Sequence, residues 1–182
     1  MATLRFEPMT PRQQAIAVLL MILIVVASNV MVQYPINNWL TWGAVSYPIA
    51  FLVADVLNRR FGPQAARRVA YFCCGSALVI SALVSTARMA LASGSAFLVA
   101  QLCDIYVFDR LRHRTWWQAP FVGGVAGATL DTFVFFSVAF AGTSMPWQTL
   151  LLGDLAVKLC LNTFMLAPFR ALMWNLANPS NQ

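Results

Sequence analysis

Charged and amide side chains lie within several long apolar stretches of the sequence, where such groups are rare. They are Asn29, Gln33, Asp55, Gln101, Asp104, Asp131, Asp154, Lys158 and Asn162. An ionisable group inside a bilayer is costly, so it generally faces the protein interior or a water-filled cavity and marks a functional site. Carboxylates accept hydrogen bonds, an ammonium donates them and an amide does both. The set could therefore bind a small polar molecule or carry a proton.

The spacing of these residues predicts stripes along helices. Asp154, Lys158 and Asn162 are four residues apart, and positions three or four apart share one face of a helix. The other stripes are Asn29 with Gln33; Tyr47, Phe51 and Asp55; Phe97, Gln101, Asp104 and Phe108; and Gly123, Gly127, Asp131 and Phe135. The glycines of the last stripe would let another helix approach closely. The pattern indicates that the helices turn polar or aromatic faces towards a shared interior.

Each polar residue also has a purely structural interpretation. Lys158, the only lysine in the chain, could form ion pairs with Asp154 on its own helix and with Asp131 across helices. Asn29 could hold helices together through its amide group. Salt bridges near the membrane surface are a further alternative, namely Asp55 with Arg59 and Asp104 with Arg110 or Arg112. The spacing alone leaves the functional and the structural interpretations open.

The composition identifies the environment in which these residues lie. The chain has 182 residues, of which 60% are hydrophobic and 10% charged, and its mean hydropathy is +0.69. Soluble domains carry about 25% charged residues, so this is an integral membrane protein. The net charge of +6 does not indicate a nucleic-acid partner, because the arginines lie in short loops between apolar segments and set the topology. The cysteines lack metal-type spacing, and we expect no metal and no cofactor.

Six apolar segments could span a bilayer, which requires roughly 20 residues each. Their predicted bounds are about 14–33, 39–57, 67–88, 91–109, 117–141 and 147–172. Arginines precede the first segment and fill the loops after the second and the fourth, whereas the opposite loops contain Arg88 alone. The positive-inside rule then places both termini in the cytoplasm. The predicted fold is an all-α membrane protein of six transmembrane helices, forming a single domain over residues 1–182.

The sequence contains no pattern typical of an enzyme. It has no HExxH zinc motif, no GxSxG nucleophile motif and no phosphate-binding P-loop, and His113 is its only histidine. A wet cavity lined by acids, amides and aromatic rings, with little protein outside the membrane, favours a carrier of a small, flat, polar molecule. We therefore predict that the protein is not an enzyme.

Longer motifs carry a resemblance to a known family. They are SNVMVQYPI (28–36), TWGAVSYPIAFLVADVLNRRFGPQAARR (41–68), ASGSAFLVAQLCDIYVFDRLRHRTWWQAP (92–120), LDTFVFFSVAF (130–140) and DLAVKLCLNTFMLAP (154–168). In this order they resemble the queuosine precursor transporter family, also called the vitamin uptake transporter family. The resemblance covers most of the chain, although the loops on the arginine-poor side are shorter than the family's.

The resemblance implies a function and a set of positions. It implies a multi-pass protein of the bacterial inner membrane that imports 7-cyano-7-deazaguanine, 7-aminomethyl-7-deazaguanine or both, for salvage of queuosine in tRNA. The positions carried over by motif are Asn29, Gln33, Phe51, Asp55, Gln101, Asp104, Asp131 and Lys158. A guanine-like edge presents N–H donors beside a carbonyl, and a flat ring can stack on an aromatic side chain. We expect Asp131 or Asp104 to accept from the donors, Gln101 or Asn29 to bind the carbonyl, and Lys158 to hold the acids.

Several alternatives remain at this stage. Asp131 and Asp154 are expected to take part in proton coupling, although a facilitator trapped by downstream metabolism would need none. A substrate-binding subunit of an ATPase-driven uptake complex is the alternative function, but the bulky VLLMILIVV run of the first segment lacks the small residues expected for docking. A membrane enzyme or assembly factor is the third. We expect a deazapurine and the lipid bilayer as partners, and a homodimer is plausible for so small a bundle.

Overall fold

The computed structural model describes residues 6, 8–37, 39–46, 48–84, 86–144 and 147–177, which form a helical bundle. In chain order the elements are α1 (Pro11–Met31), β1 (Pro35–Asn37), β2 (Leu40–Thr41), α2 (Gly43–Ser46), α3 (Pro48–Phe61), α4 (Pro63–Val84), α5 (Ala87–Leu111), α6 (Gln118–Phe140) and α7 (Trp147–Ala177). The all-α membrane class is confirmed. Tyr47 of the predicted second stripe and the N-terminal Arg5 lie outside the described residues.

Five of the described helices, α1, α4, α5, α6 and α7, are long and apolar enough to cross a membrane. Their bounds differ from the predicted segments by a few residues at each end. α5 and α6 pack along each other at the centre of the bundle. α1 and α7 expose apolar side chains such as Leu23 (60%) and Phe164 (71%). In a membrane protein such faces are the ones that contact lipid.

The segment predicted as one helix over 39–57 is divided. Its first residues belong to a short antiparallel hairpin in which Pro35 pairs with Thr41 and Asn37 with Leu40. One helical turn follows, and α3 then begins at Pro48, because the proline ring suits the first turn of a helix. α3 ends at Phe61, and the next residue is Gly62, whose φ of +86° is a conformation that favours glycine. The result is a 14-residue helix rather than a full span.

The two ends of the bundle differ in charge. The end of α3, the start of α4 and the end of α5 carry Arg59, Arg60, Arg67, Arg68, Arg110, Arg112 and Arg114. We call this the arginine-rich end. The hairpin, the end of α6 and the start of α7 form the arginine-poor end, where Arg88 donates hydrogen bonds to the carbonyls of Val138 (2.9 Å) and Ala141 (2.5 Å). Exposed tryptophans mark both ends, as at a membrane interface.

A buried arginine closes the arginine-rich end. Arg112 is 6% exposed and donates to the Asp109 carboxylate (2.9 Å) and to the Asn58 backbone and side-chain oxygens (3.0 and 2.6 Å). Its guanidinium also lies 4.6 Å from the centre of the Phe6 ring. Asn58 in turn donates to the Ile105 carbonyl (3.2 Å), and Arg59 to the Arg112 carbonyl (2.8 Å). We call this network the arginine latch, and it joins the end of α3 to the end of α5.

Arg112→Gln is expected to destabilise the protein, because it leaves the oxygens of Asn58 without a donor. Losing hydrogen bonds to a buried charged group costs roughly 2–3 kcal/mol in the free energy of unfolding. Thermal unfolding of the detergent-solubilised protein measures the change. Arg110→Gln is the matched control, because Arg110 is exposed and contacts only the Tyr106 ring among the interactions seen. Equal stabilities of the two variants would contradict the latch.

Candidate functional site

A buried ion cluster joins α6 and α7 in the middle of both helices. The Lys158 ammonium donates to Asp131 (2.8 Å) and contacts Asp154 (2.6 Å), and both carboxylates are buried. It also donates to the Thr132 hydroxyl (3.2 Å), which itself donates to Asp154 (2.8 Å). We call these four residues the lysine cluster. The ion pairs that the sequence suggested for Lys158 are therefore both present.

The protons of the Lys158 ammonium all have acceptors within the lysine cluster, but the charges of the cluster do not cancel. An ammonium has three protons to donate, and Asp131, Thr132 and Asp154 receive them. With both acids ionised, two carboxylates share one ammonium, which leaves one negative charge in excess. A cavity of about 30 Å³ adjoins the cluster and is also lined by Asn29 and Phe135. The geometry suits an ammonium group that holds the two acids in place between α6 and α7.

Asn29 connects three helices through its amide group. Its nitrogen donates to the Ser81 hydroxyl on α4 (2.7 Å), and the Ser93 hydroxyl on α5 donates to its oxygen. The structure therefore contains the helix contact that was one of the interpretations of Asn29. Gln33 lies one turn further along, is exposed, and donates to the Asn29 carbonyl (3.1 Å). Both residues lie towards the arginine-poor end, and Asn29 also lines the 30 Å³ cavity beside Asp131 and Lys158.

A second polar group, formed by Asp55, Gln101 and Asp104, lies between α3 and α5. Asp55 is 5% exposed, and Gln101 and Asp104 are fully buried. The carboxyl groups of Asp55 and Asp104 are close enough to interact across the helices. Five atoms make no hydrogen bond of good geometry within the described part of the chain: Asp55 Oδ1, both Asp104 oxygens, and both polar atoms of the Gln101 amide. We call this group the acid–amide cluster.

The salt bridges left open as an alternative for the two acids, Asp55 with Arg59 and Asp104 with Arg110 or Arg112, are not formed among the described residues. Arg59 and Arg112 instead form the arginine latch, one to two helical turns nearer the arginine-rich end. The acids point into the bundle while these guanidinium groups bind backbone carbonyls, Asn58 and Asp109. The two carboxyl groups instead face each other across α3 and α5.

Glycines of α6 form one wall of the acid–amide cluster. A Cβ added at Gly127 would lie 2.7 Å from the Phe51 ring and 3.2 Å from Asp104 Cβ, and one added at Gly123 would collide with Asp104 Oδ1. The predicted close approach at the glycine stripe is thus present, and it brings Phe51 against the acids. Phe51, Asp55 and Asn162 also line a cavity of about 10 Å³. This volume is too small for any organic ligand, so the bundle is closed around the cluster.

The structure therefore sorts the predicted residues into three levels along the bundle. Asn29 and Gln33 lie at the arginine-poor end, Asp131 and Lys158 in the lysine cluster, and the other four near the arginine-rich end: Phe51, Asp55, Gln101 and Asp104. The sequence reasoning missed Thr132, although hydroxyl groups in membrane helices often bond across helix contacts. It also missed Ser81 and Ser93 for the same reason.

Comparison with known proteins identifies the family. The model of the family described as "Putative vitamin uptake transporter" matches residues 41–87 and 80–173. The chain is 32% identical to the "Probable queuosine precursor transporter" of Haemophilus influenzae, over 85% of this chain and 83% of that protein. It is also 32% identical to the "Queuosine precursor transporter" of Escherichia coli with the same coverage, and 29% identical to a Bacillus subtilis relative over 56% of this chain and 57% of that protein. No solved structure matches the chain. The chain belongs to the vitamin uptake transporter family and is a multi-pass transporter of the bacterial inner membrane, not an enzyme.

Proposed function

We propose that the protein imports 7-deazaguanine precursors of queuosine, namely 7-cyano-7-deazaguanine, 7-aminomethyl-7-deazaguanine or both. The printed names of the relatives from Haemophilus influenzae and Escherichia coli support the substrate class. The observation that carries the proposal is the acid–amide cluster, because its five buried polar atoms have no hydrogen-bond partner within the described residues. These atoms are the recognition site in this proposal.

Unpartnered polar atoms in an apolar bundle require an explanation, because nearly all buried polar groups are hydrogen-bonded. Each one left unsatisfied costs about 1–3 kcal/mol. Carboxylate oxygens only accept hydrogen bonds, whereas the amide of Gln101 both donates and accepts. A ligand that satisfies all of them must present several N–H donors and at least one acceptor.

A 7-deazaguanine presents that combination on one edge. Its ring N–H and amino group point the same way as a pair of donors, and its carbonyl stands beside them. A carboxylate can accept both donors, and the Gln101 nitrogen can donate to the carbonyl. Phe51, packed against the same group, supplies a ring for contact with the flat base. Asp104 is our choice for the donors, since neither of its oxygens accepts a hydrogen bond from an N–H or hydroxyl group of the described residues.

The other expected ligands are less suited to this role. Asp131 is bonded to Lys158, and the amide of Asn29 is bonded to Ser81 and Ser93. Binding a base through either residue would break an existing hydrogen bond, whereas binding through Asp104 and Gln101 would form new ones. Asp55 faces Asp104, and a donor-rich ligand would also relieve the repulsion between two carboxylates.

We assign proton coupling to the lysine cluster. Two carboxylates around one ammonium can exist as a charged triad or, with one proton added, as a neutral set. Because Asp131 and Asp154 lie on different helices, such a change would alter the attraction between α6 and α7. The arginine-rich end faces the cytoplasm in this proposal, together with both termini.

Transport by the purified protein is the first test. Liposomes that contain only this protein are expected to accumulate labelled 7-cyano-7-deazaguanine, and faster under an inward proton gradient. Protein-free liposomes are the control. Binding without uptake would favour a subunit that needs a partner ATPase, and uptake that ignores the gradient would favour a facilitator. Neither binding nor uptake of either deazaguanine would refute the proposed substrate.

Asp104→Asn and Gln101→Leu are expected to raise the Kd for 7-cyano-7-deazaguanine about 10- to 100-fold. The reason is the loss of charge-assisted or neutral hydrogen bonds, worth roughly 1.5–3 kcal/mol when one partner is charged. Isothermal titration of the protein in lipid nanodiscs measures the Kd. Tyr106→Phe is the control on the same helix, because Tyr106 is 51% exposed and lies outside both clusters and the arginine latch.

An analogue that lacks the amino group separates a contact from a folding defect. The wild-type protein should bind this analogue more weakly than it binds the parent base. The Asp104→Asn variant, in contrast, should bind the analogue no more weakly than it binds the parent base. Losses of binding free energy that do not add up in this way are expected only when the amino group and the Asp104 carboxylate are in direct contact. Independent, additive losses would remove Asp104 from the recognition site.

Asp131→Asn and Asp154→Asn are expected to abolish the stimulation of uptake by the proton gradient. Each variant removes one of the two carboxylates that share Lys158, so the cluster loses its excess negative charge. The Kd for the base should change less than about threefold, because neither residue belongs to the acid–amide cluster. Uptake rates across a series of external pH values provide the measurement. Unchanged pH dependence in both variants would eliminate the lysine cluster as the coupling site.

A further inference from the structure

A cavity of about 230 Å³ lies under the hairpin at the arginine-poor end of the bundle. Gln33 and Thr41 line it on the hairpin side, and Phe136 and Phe140 line it on α6. The remaining lining is aliphatic and includes Met89 and Leu150. It is much larger than the cavities of about 30 and 10 Å³ beside the lysine cluster and the acid–amide cluster. We call it the hairpin vestibule.

The hydroxyl group of Thr41 is an unpartnered polar atom in this cavity. Thr41 is 6% exposed, and its oxygen makes no hydrogen bond within the part of the chain that the structure describes. A buried threonine hydroxyl ordinarily finds a partner, since it can donate once and accept twice. Gln33 also lines the cavity, and its amide nitrogen donates to the Asn29 carbonyl (3.1 Å). The Thr41 hydroxyl is therefore the polar group of this lining that a ligand would satisfy, with the Gln33 amide beside it.

Two aromatic rings form the opposite wall. The ring centres of Phe136 and Phe140 are 5.8 Å apart and their planes are tilted by 33°. Phe135 completes the group with edge contacts to both rings, at 5.3 Å and 6.1 Å. Rings arranged in this way offer an apolar surface to a flat heterocycle, and this contact tolerates different bases because every base has a π-face.

The vestibule leads towards the interior of the bundle. Val32 lines both this cavity and the 30 Å³ cavity, which is also lined by Asp131, Asp154 and Lys158. A molecule in the vestibule is thus separated from the lysine cluster by the end of α1 and by the ring of Phe135, which borders the smaller cavity.

The hairpin holds Thr41 over the vestibule by close backbone contacts. The Trp42 amide donates to the Tyr34 carbonyl (3.2 Å). The Trp39 carbonyl packs directly on Gly153 of α7, where an added Cβ would collide with it. At the base of the hairpin, a Cβ added at Gly43 would lie 2.8 Å from Val32 Cβ. The hairpin is therefore seated on α1 and α7 and covers the cavity.

We propose that the hairpin vestibule is a separate, low-selectivity binding site for planar nitrogen bases on the route to the acid–amide cluster. The base lies against Phe136 and Phe140, and Gln33 and Thr41 bond its edge. The position on the route rests on the proposed function, whereas the binding site itself does not. Because ring contact dominates, adenine binds here as well as a deazaguanine does, although it lacks the donor pair that Asp104 requires.

The experiment measures equilibrium binding of adenine, and separately of 7-cyano-7-deazaguanine, to the full chain in nanodiscs. Adenine is expected to bind wild type and Asp104→Asn equally. Thr41→Val and Phe140→Leu should each weaken adenine binding about fivefold or more. Thr129→Val and Phe133→Leu are matched controls on the exposed side of α6 and should leave it unchanged. In uptake assays, Thr41→Val should raise the KM for 7-cyano-7-deazaguanine with little change in the maximal rate.

Thermal unfolding distinguishes a ligand site from a packing defect. Thr41→Val removes an unpartnered hydroxyl at nearly constant volume, so the variant should be at least as stable as wild type while its adenine binding falls. Absence of adenine binding to wild type, or binding that is insensitive to both Thr41→Val and Phe140→Leu, would overturn the vestibule site. If adenine behaves as expected but 7-cyano-7-deazaguanine does not depend on Asp104, the proposed recognition site fails and the vestibule remains.

Discussion

A polar group inside a membrane bundle cannot form hydrogen bonds with bulk water, so it needs a partner within the protein or a ligand. The arrangement of the whole protein depends on how this constraint is met. In the lysine cluster it is met within the protein, since Lys158, Asp131, Thr132 and Asp154 satisfy one another. In the acid–amide cluster the described residues do not meet it in full, because Asp104 and Gln101 are fully buried and no N–H or hydroxyl group of these residues donates to them. A protein that carries both arrangements at different depths has one site that is complete by itself and one that a ligand would complete. In the proposed function the first cluster couples protons and the second recognises the base.

The backbone of α6 makes both arrangements possible. Its glycines at 123 and 127 let Asp104 and Phe51 approach the helix more closely than any larger residue would allow. One turn further along, Asp131 and Thr132 of the same helix reach Lys158. The tight contact between α5 and α6 therefore sets the distance between the two clusters. A substitution at Gly127 would act on recognition and packing together, whereas one on the exposed side of α6 would act on neither.

Much of this organisation could be predicted from the sequence, because the apolar runs and the three- and four-residue spacing depend on local geometry. Five of the six segments, the facing stripes and the close approach at the glycines belong to this part. The partners of the acids could not be predicted in the same way. Spacing favoured Arg59 and Arg112 for Asp55 and Asp104, but the rotation of α3 and α5 turns the acids inward and the guanidinium groups towards carbonyls and Asp109. The hairpin also escaped prediction, since its tryptophans and leucine look like the start of an apolar helix. Thr41 and Thr132 acquire their importance only from neighbours distant in the chain.

The short helix α3 explains how recognition could be transmitted to the arginine-rich end. It carries Phe51 and Asp55 beside the acid–amide cluster and, one turn later, Asn58 and Arg59 in the arginine latch. It begins at a proline and ends at a glycine with positive φ, so it is joined to its neighbours by turns rather than by continuous helix. A ligand bound to Asp55 and Asp104 would act on α3, the same helix that holds Asn58 against Arg112. Because the cavity beside Asp55 is only about 10 Å³, a base can enter only if α3 moves relative to its neighbours. Since α3 also carries Asn58 and Arg59, a base bound at the proposed recognition site would act on the arginine latch through this helix.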